Sequence, residues 1–429
     1  MKIAFVYPAT EFDIINHKDS LPNGLLYLAA VIEKENVAEV SLFDARHGEA
    51  LPANPSEFDV IGFTAMSMQI DHAVELVQKV REQGFTGKIV FGGPHATVAP
   101  ESLMQNPMID AVFLGESEIS FLLYLQFLNG TLPAPPATVL LRKATHAAFV
   151  AEDDGAPFAK GTTPVEYVKD LDSLPFPARH HFAHVLRKIK FVNIFTCRGC
   201  PYNCEFCQPT KRILFGNKIR SRTAENIFQE IAEAVRLYGV TGFSIDDDTF
   251  TYNRKRILDF CAMVKNLGLL WSCQSRSDIS EETLVAMRDA GCWLIFVGVE
   301  SGSQRVLELM GKKNNIENNK QFIETCNGLG IKTWCNIMVG YPGETVQDLE
   351  LTRQFVLKTK PTRACVSQAT PFPGTDLYNK HKDDLLPIVW DRLARHIPYP
   401  RFKSMEHMQE VISLYQNLCS TGWDRPLEP

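Results

Sequence analysis

Short, continuously apolar runs alternate with amphipathic stretches along two long parts of this 429-residue chain, and that alternation limits the fold more than any other feature. A strand that is apolar on both faces has to be covered on both faces. Strand–helix–strand order supplies the cover by laying successive strands parallel, with helices between them. The first series places strands at 2–7, 40–43, 60–64, 89–91 and 111–114 and helices at 25–34, 71–83 and 118–128. It predicts a five-stranded, doubly wound, flavodoxin-like α/β domain over residues 1–130. Residues 131–190 break the pattern with TLPAPPA, EDDGAP and DSLPFPARHHF, dense in proline and turn formers. They read as a linker with a hairpin near 138–150. The second series has strands at 191–195, 242–245, 270–273, 294–299, 333–339 and 364–367. Helices are expected at 224–238, 254–267, 281–290, 319–329 and 346–357, and Ser280 before Glu281 and Glu282 supplies a cap and an acidic first turn. Six βα units over residues 191–380 suit an open, partial (βα)6 barrel, because a closed eightfold barrel takes about 250 residues. Residues 381–429, with Trp390, Pro398 and Trp423, predict a small helical extension.

Of the eleven cysteines none precedes Cys197, and Cys197, Cys200, Cys204 and Cys207 crowd into CRGCPYNCEFCQP directly after the first strand of the second series. The other seven, Cys261, Cys273, Cys292, Cys326, Cys335, Cys365 and Cys419, stand singly in apolar contexts. Such usage suits a reducing compartment, with a metal centre at the cluster and small core residues elsewhere. Three thiolates spaced CxxxCxxC on one loop would hold three corners of a 4Fe-4S cubane and leave one iron open, and Pro201 and Asn203 favour the necessary turns. On spacing alone, Cys197/Cys200 with Cys204/Cys207 would also make a closed zinc site.

Charged and glycine-rich segments fall at the carboxyl ends of four further strands, where βα barrels build their sites. These are Asp246-Asp247-Asp248-Thr249-Phe250, Gln274-Ser275-Arg276, Val299-Glu300-Ser301-Gly302 and Gly340-Tyr341-Pro342-Gly343-Glu344. Carboxylates at Asp247 and Asp248 suit an ammonium and Arg276 a carboxylate; Glu300 suits ribose hydroxyls, and glycine backbone admits a close adenine. The cysteine spacing, with aromatic Phe206 before the last cysteine, and the segment VGVESGSQRVLELMGKK resemble the radical S-adenosylmethionine superfamily over about 192–378. That resemblance implies a 4Fe-4S cluster on Cys200, Cys204 and Cys207, with Cys197 a bystander. It also implies S-adenosylmethionine held by Phe206, Asp247, Asp248, Arg276, Glu300, Ser301 and Gly340.

The first domain carries TAMSMQ (64–69), GGPHAT (92–97) and GESE (115–118) at strand ends. Taken alone these are glycine turns of a flavodoxin-like or receiver-like domain, or the sheet edge of a cobalamin domain. Together with PNGLLYLAAVIE, FDVIGFTAMS and the following barrel, they resemble the cobalamin-binding radical S-adenosylmethionine enzymes over nearly the whole chain. The resemblance implies cobalamin against Thr64, Ser67, Met68, Gly92, Gly93, Pro94, His95, Gly115 and Glu116. The DxHxxG motif, whose histidine ligates cobalt in many cobalamin proteins, is missing, and Asp44-Ala45-Arg46-His47-Gly48 has the wrong spacing. Cobalamin is therefore expected without a histidine ligand, Met66 to Gln69 lying near its lower face and His95 serving as a packing or tail contact.

The enzymes so resembled methylate unactivated carbons. One S-adenosylmethionine donates methyl to cob(I)alamin; another yields a 5′-deoxyadenosyl radical, and the substrate radical takes methyl from methylcobalamin. Ring-forming or oxidative rearrangement without methyl transfer, and a cobalamin-binding sensor module, are the alternatives. The intact cysteine set argues against a sensor, and the lack of cysteines in the first domain argues against methylthio transfer. Tyr341 and Cys335 are candidate catalytic residues by position only. An electron donor of the flavodoxin or ferredoxin type and a small-molecule or lipid-like substrate are the implied partners. A formal net charge of −6 gives no reason to expect nucleic acid, and Lys211, Arg212, Lys218, Arg220 and Arg222 form only a local patch, a solvated loop or a contact for an anionic substrate. No run approaches the roughly 18 apolar residues of a membrane span, and MKIAFVYP is unlike a signal peptide, so a cytoplasmic protein is expected.

Overall fold

The structure, a computed structural model, describes residues 1–9, 20–48, 50–133, 139–142, 158–159, 167–207, 214–387, 401–422 and 427. The chain divides into two compact units, Met1–Val185 with Thr210–Gly216, and Leu186–Pro209 with Asn217–Pro429. In the first, β1 (Lys2–Tyr7), α1 (Asn23–Lys34), β2 (Glu39–Asp44), β3 (Val60–Thr64), α2 (Ile70–Glu82) and β4 (Lys88–Gly92) follow in turn. Then come the short helices α3 (Gly93–Val98) and α4 (Pro100–Met104), β5 (Ala111–Phe113) and α5 (Glu118–Leu128). The sheet order is β2-β1-β3-β4-β5 with all pairs parallel. Alternation along each strand feeds two cores. Ala4, Val6, Ile61, Phe63, Ile89 and Phe91 pack with Ala73, Leu76, Val77 and Val80 of α2. Ile3, Phe5, Val60, Val90 and Phe113 pack with Leu25 and Ile32 of α1 and Phe121, Tyr124 and Leu125 of α5. Each fully buried side chain of this size contributes about 1.5–3 kcal/mol, so the doubly wound form follows from strands apolar on both faces.

The sheet does not stop at five strands. Residues expected to form a linker supply β6 (Val139–Arg142), antiparallel to β5, and β7 (Phe158–Ala159), antiparallel to β6. The expected hairpin thus becomes an extension of the sheet, with most of the chain between its strands outside the described residues.

After α6 (Ala183–Ile189) the second unit lays down a wholly parallel six-stranded sheet. Its strands are β8 (Phe191–Ile194), β11 (Gly242–Ile245), β12 (Leu270–Ser275), β13 (Cys292–Glu300), β14 (Lys332–Val339) and β15 (Arg363–Gln368), adjacent in that order. The two-residue strands β9 (Cys197–Arg198) and β10 (Arg220–Ser221) pair antiparallel beside it. The crossovers are α7 (Ala224–Tyr238), α8 (Arg254–Val264), α9 (Glu281–Asp289), α10 (Gln304–Leu309), α11 (Ile316–Leu329) and α12 (Val346–Thr359). Ser280 caps α9, accepting from Thr283 N, as its sequence predicts. Trp271 is fully buried among Phe243, Phe250 and Phe260, and its indole N–H donates to Ala290 O at 2.8 Å.

The short helix α13 (Asp376–Lys380) leads into the extension, whose helix α14 (Gln409–Cys419) packs on α12 and β15. Beyond it Thr421 pairs antiparallel with Ala364. Trp390, Pro398, Trp423, Lys211 and Arg212 lie outside the described residues. Arg222 is no solvated loop residue: it is buried, paired with Glu230, and donates to Phe195 O at 2.9 Å. Among the described residues no helix is long and apolar enough to cross a membrane.

Candidate functional site

β8 ends at Ile194 and the chain turns through Thr196 into the cysteine loop. Gly199, at φ +91°, makes a left-handed step that L side chains resist. Cys200, Cys204 and Cys207 are half-buried, and Cys207 N donates to Cys204 O at 3.1 Å, closing a tight turn around Phe206, itself half-buried. The loop is tied down from several sides. Glu205 N donates to Met310 O at 3.0 Å and Glu205 O accepts from Leu377 N at 2.9 Å. The Glu205 carboxylate receives the Tyr341 hydroxyl at 3.2 Å and pairs with Lys380. Arg276 lies 4.0 Å over the Tyr202 ring, a cation–π contact inside the cysteine loop. Burial pushes the Cys204 thiol up, while Lys312 and Arg276 oppose the shift and Glu300 adds to it. The donor set fits a cluster. Three half-buried thiols on one tight loop would hold three corners of a cubane and leave one iron open.

Cys197 is set apart from this loop. It is 3% exposed, its thiol is pushed well up by burial, and its Sγ faces Thr249 O at 3.9 Å. The Thr249 hydroxyl lies 3.8 Å from Cys200 Sγ.

Several expected contacts for S-adenosylmethionine prove to be committed elsewhere. Asp247, 1% exposed, accepts from Thr196 N at 2.6 Å, from Cys197 N at 3.0 Å and from the Thr196 hydroxyl, with Arg256 at 3.9 Å. Burial raises its carboxyl against the pull of Arg256. It fastens the strand–loop junction. Asp246 accepts from Asn193 and Ser244, both at 2.7 Å, and Asp246 and Asp248 are both half-buried at the carboxyl end of β11. Arg276 holds Asp278 at 3.1 Å, Lys313 O and Tyr202, so it orders the cysteine loop rather than waiting for a carboxylate. Ser301 is fully buried against Thr352 Oγ1 at 3.1 Å. Gly340 adopts φ +75°, and a Cβ there would press on Ile412 of α14.

Glu300 stands on strained backbone. A non-glycine residue at φ +66° on a bulge between β13 and β14, it pairs with Lys312 at 2.7 Å. Backbone strain of this sort gathers at functional positions. A Cβ at Gly298 would overlap both partners, which explains the glycine. Tyr341 and Cys335, the candidate catalytic residues, both lie inside the protein. Tyr341 is 2% exposed, bound to Glu205, and its phenol is raised by burial; Cys335 is a core thiol of β14, also raised by burial.

Glu344 was not singled out from the sequence. It is 3% exposed, its Oε2 accepts from Gly340 N at 2.5 Å and Tyr341 N at 3.3 Å, and its Oε1 has no partner. Burial pushes its carboxyl up to about 8 from an ordinary 4.5. Between those values the folded chain keeps a proton that the unfolded chain has released, so stability falls as pH rises through that window. Urea unfolding from pH 5 to 8 is expected to show this loss, on the order of 4 kcal/mol in total, and Glu344→Gln to flatten it. Equal slopes for the two proteins would refute it.

In the first unit the expected cobalamin residues gather at the carboxyl edge of β3, β4 and β5. Met66 is 37% exposed there, with Thr64, Ser67, Met68, Gly92, Gly93, Pro94 and Gly115 around it, Gly115 N donating to Thr97 Oγ1 at 3.1 Å. An exposed thioether at a sheet edge suits the apolar face of a corrin. His95 is 1% exposed with Ser67 Oγ at 3.1 Å and Ser102 Oγ at 2.8 Å on its two ring nitrogens, and burial lowers it to about 4. Both nitrogens face serine hydroxyls inside the protein. Glu116 is buried and accepts from Val168 N at 2.8 Å, holding the chain after β7 instead of a ligand. Asp44 and Arg46 form a buried ion pair at 2.6 Å, which accounts for that pseudo-motif. Gly93 sits at φ +84°, where a Cβ would overlap the Thr64 hydroxyl. Gly93→Ala is expected to cost about 3 kcal/mol in denaturant unfolding of this unit. Adding Thr64→Ala should recover the steric part and leave about 1 kcal/mol of backbone strain. A single variant as stable as the parent would contradict this geometry.

Comparison with known proteins agrees with this division. The Radical SAM superfamily matches residues 194–356 and the B12 binding domain matches residues 17–124. The uncharacterized methyltransferase PH0819 of Pyrococcus horikoshii is 29% identical over 423 residues, covering 94% of this chain and 88% of that protein. The structure of the radical S-adenosylmethionine methyltransferase TsrM from Kitasatospora setae, with cobalamin and a [4Fe-4S] cluster bound, superposes with a TM-score of 0.71 at 16% identity. It is covered to 78%, and 89% of this chain is matched. The cobalamin-dependent S-adenosylmethionine radical enzyme OxsB, with aqua-cobalamin bound, gives a TM-score of 0.70 at 20% identity over 88% of this chain. The present chain spans 55% of OxsB. With a B12 binding domain followed by a radical SAM domain in one chain, the protein belongs to the cobalamin-binding radical S-adenosylmethionine enzymes.

Proposed function

We propose that this protein methylates an unactivated carbon of a small-molecule or lipid-like substrate, consuming S-adenosylmethionine both as methyl donor and as radical source. The observation that carries the reading is a firmly tied three-cysteine loop at a barrel mouth, in one chain with a corrin-type sheet edge whose buried histidine is fully bonded. When bound, the cluster supplies an electron for cleaving S-adenosylmethionine and the corrin carries the methyl group.

The chain's own residues set the conditions. Cys200, Cys204 and Cys207 hold the cluster. Lys312 and Arg276 favour the thiolate of Cys204. Asp247, Thr196 and Arg256 fix where the loop leaves β8. Glu300, Lys312 and Asp248 offer the polar contacts for the ribose and the amino group of S-adenosylmethionine. Phe206 and the backbone around Gly343 offer apolar contact. In the first unit Met66, Met68 and the Gly92–Gly93 turn receive the corrin. A ferredoxin- or flavodoxin-type donor delivers the electron. The eleven free thiols suit a reducing cytoplasm.

Anaerobic reconstitution with iron, sulfide and cobalamin tests the reading, and about four irons and one cobalamin per chain are expected. Turnover should then give S-adenosylhomocysteine and 5′-deoxyadenosine together. Deoxyadenosine alone would favour ring-forming chemistry without methyl transfer, and iron without cobalamin would end the methyl-transfer reading.

A further inference from the structure

Glu33 lies in the last turn of α1, and His180 and His181 lie on the 3-10 turn Arg179–Phe182 that follows the proline-rich segment. His181 Nε2 is 2.7 Å from Glu33 Oε1, and His180 Nε2 is 3.4 Å from the same oxygen. The three ligand atoms all lie within 4.8 Å of one another. Neighbours on a 3-10 turn should point about 120° apart. These two rings instead converge, their centroids 4.3 Å apart and their planes at 34°.

One hydrogen bond from His181 would satisfy Oε1, and a second imidazole on that oxygen is more than an ion pair requires. Glu33 Oε2 has no hydrogen-bond partner among the described residues. A tetrahedral ion with bonds of about 2.0–2.1 Å sets its donors about 3.3 Å apart. The two observed nitrogen–oxygen separations straddle that value. Two imidazoles and one carboxylate are a donor mix that zinc-class ions take readily. The side chains are 59% exposed at His180, 17% at His181 and 32% at Glu33, so water can complete the coordination.

We propose that Glu33, His180 and His181 form a zinc-class divalent metal site, separate from the cysteine loop. It would clamp the segment 167–182 onto α1. That segment already returns to the helix through Ala178 N, which donates to Leu26 O at 3.0 Å, and through the packing of Ala178 on Ala29 and Ala30. A metal bond from Glu33 to the two histidines would fix the far end of the same contact.

The test is an anaerobic cobalt(II) titration of the full chain with its iron–sulfur cluster already reconstituted, followed by displacement with zinc. One equivalent of cobalt should bind with weak visible d–d bands and no added sulfur-to-cobalt charge transfer. His180→Ala, at a mostly exposed side chain, should weaken binding roughly tenfold or more while the iron content stays unchanged. Glu33→Gln, which keeps a hydrogen-bonding amide at that position, should do the same. Absence of binding, equal affinity in all three proteins, or sulfur charge transfer on cobalt addition would each overturn the site.

Discussion

Replacing Cys200, Cys204 and Cys207 together by alanine is expected to remove bound iron and to cut 5′-deoxyadenosine formation by at least three orders of magnitude, about 4 kcal/mol of barrier. The fold should survive, because all three thiols are half-buried on a loop and none belongs to a hydrophobic core. Cobalamin binding should survive too, since its candidate residues belong to the other unit. The informative control is Cys197→Ala. Its sulfur faces Thr249 O inside the protein, so this variant should keep its full iron content and lose about 1 kcal/mol of stability at most through a small cavity. Iron analysis and visible absorption read both outcomes. Equal iron loss from Cys197→Ala and Cys204→Ala would make Cys197 a ligand and reopen the four-thiolate zinc reading.

The two parallel sheets were legible because strands buried on both faces have to be apolar at every position, and that leaves an unmistakable run in the sequence. β6 and β7 were not, because antiparallel edge strands need only a few residues and sat among prolines that signal a linker. Spacing marked the cysteine loop as a metal site but left zinc open beside a cluster, and the resemblance of the surrounding segments favoured the cluster. The acidic triplet was only half legible. Sequence places Asp246, Asp247 and Asp248 at one strand end, but successive residues leaving a strand point to different sides. The first meets Asn193 and Ser244 and stays half-buried, the next is buried under Thr196, and the third is half-buried. Ser301, next to Glu300, likewise turns inward against Thr352. Nothing in the sequence says that α14 returns to set Ile412 against Gly340. Thr196 and Arg256 lie outside the quoted motifs, and although Glu205 and Lys312 lie within them, the pairing of all four emerges only from the packing.

Asp247→Ala is expected to cost about 3–5 kcal/mol, the largest single-residue loss of stability at this site. The carboxylate is buried and serves two backbone N–H groups, one hydroxyl and the Arg256 guanidinium at once. Removing it leaves those donors unpaired in a region closed to water, and leaves Arg256, whose Nη1 also reaches Thr196 at 2.8 Å, as an uncompensated buried charge. The strand–loop junction should loosen, and iron should fall although every cysteine is present. Asp248→Ala gives the contrast. That residue is half-buried, so unfolding should shift by no more than about 1 kcal/mol, with iron retained and KM for S-adenosylmethionine raised. Denaturant unfolding, iron content and KM together separate the two roles. If Asp247→Ala unfolds where the parent does and alters only KM, then Asp247 touches the ligand and the sequence reading of an acidic pair was right. If the two variants divide as expected, the acidic end of β11 does two jobs, one residue fastening the cluster loop and its neighbour facing the cofactor.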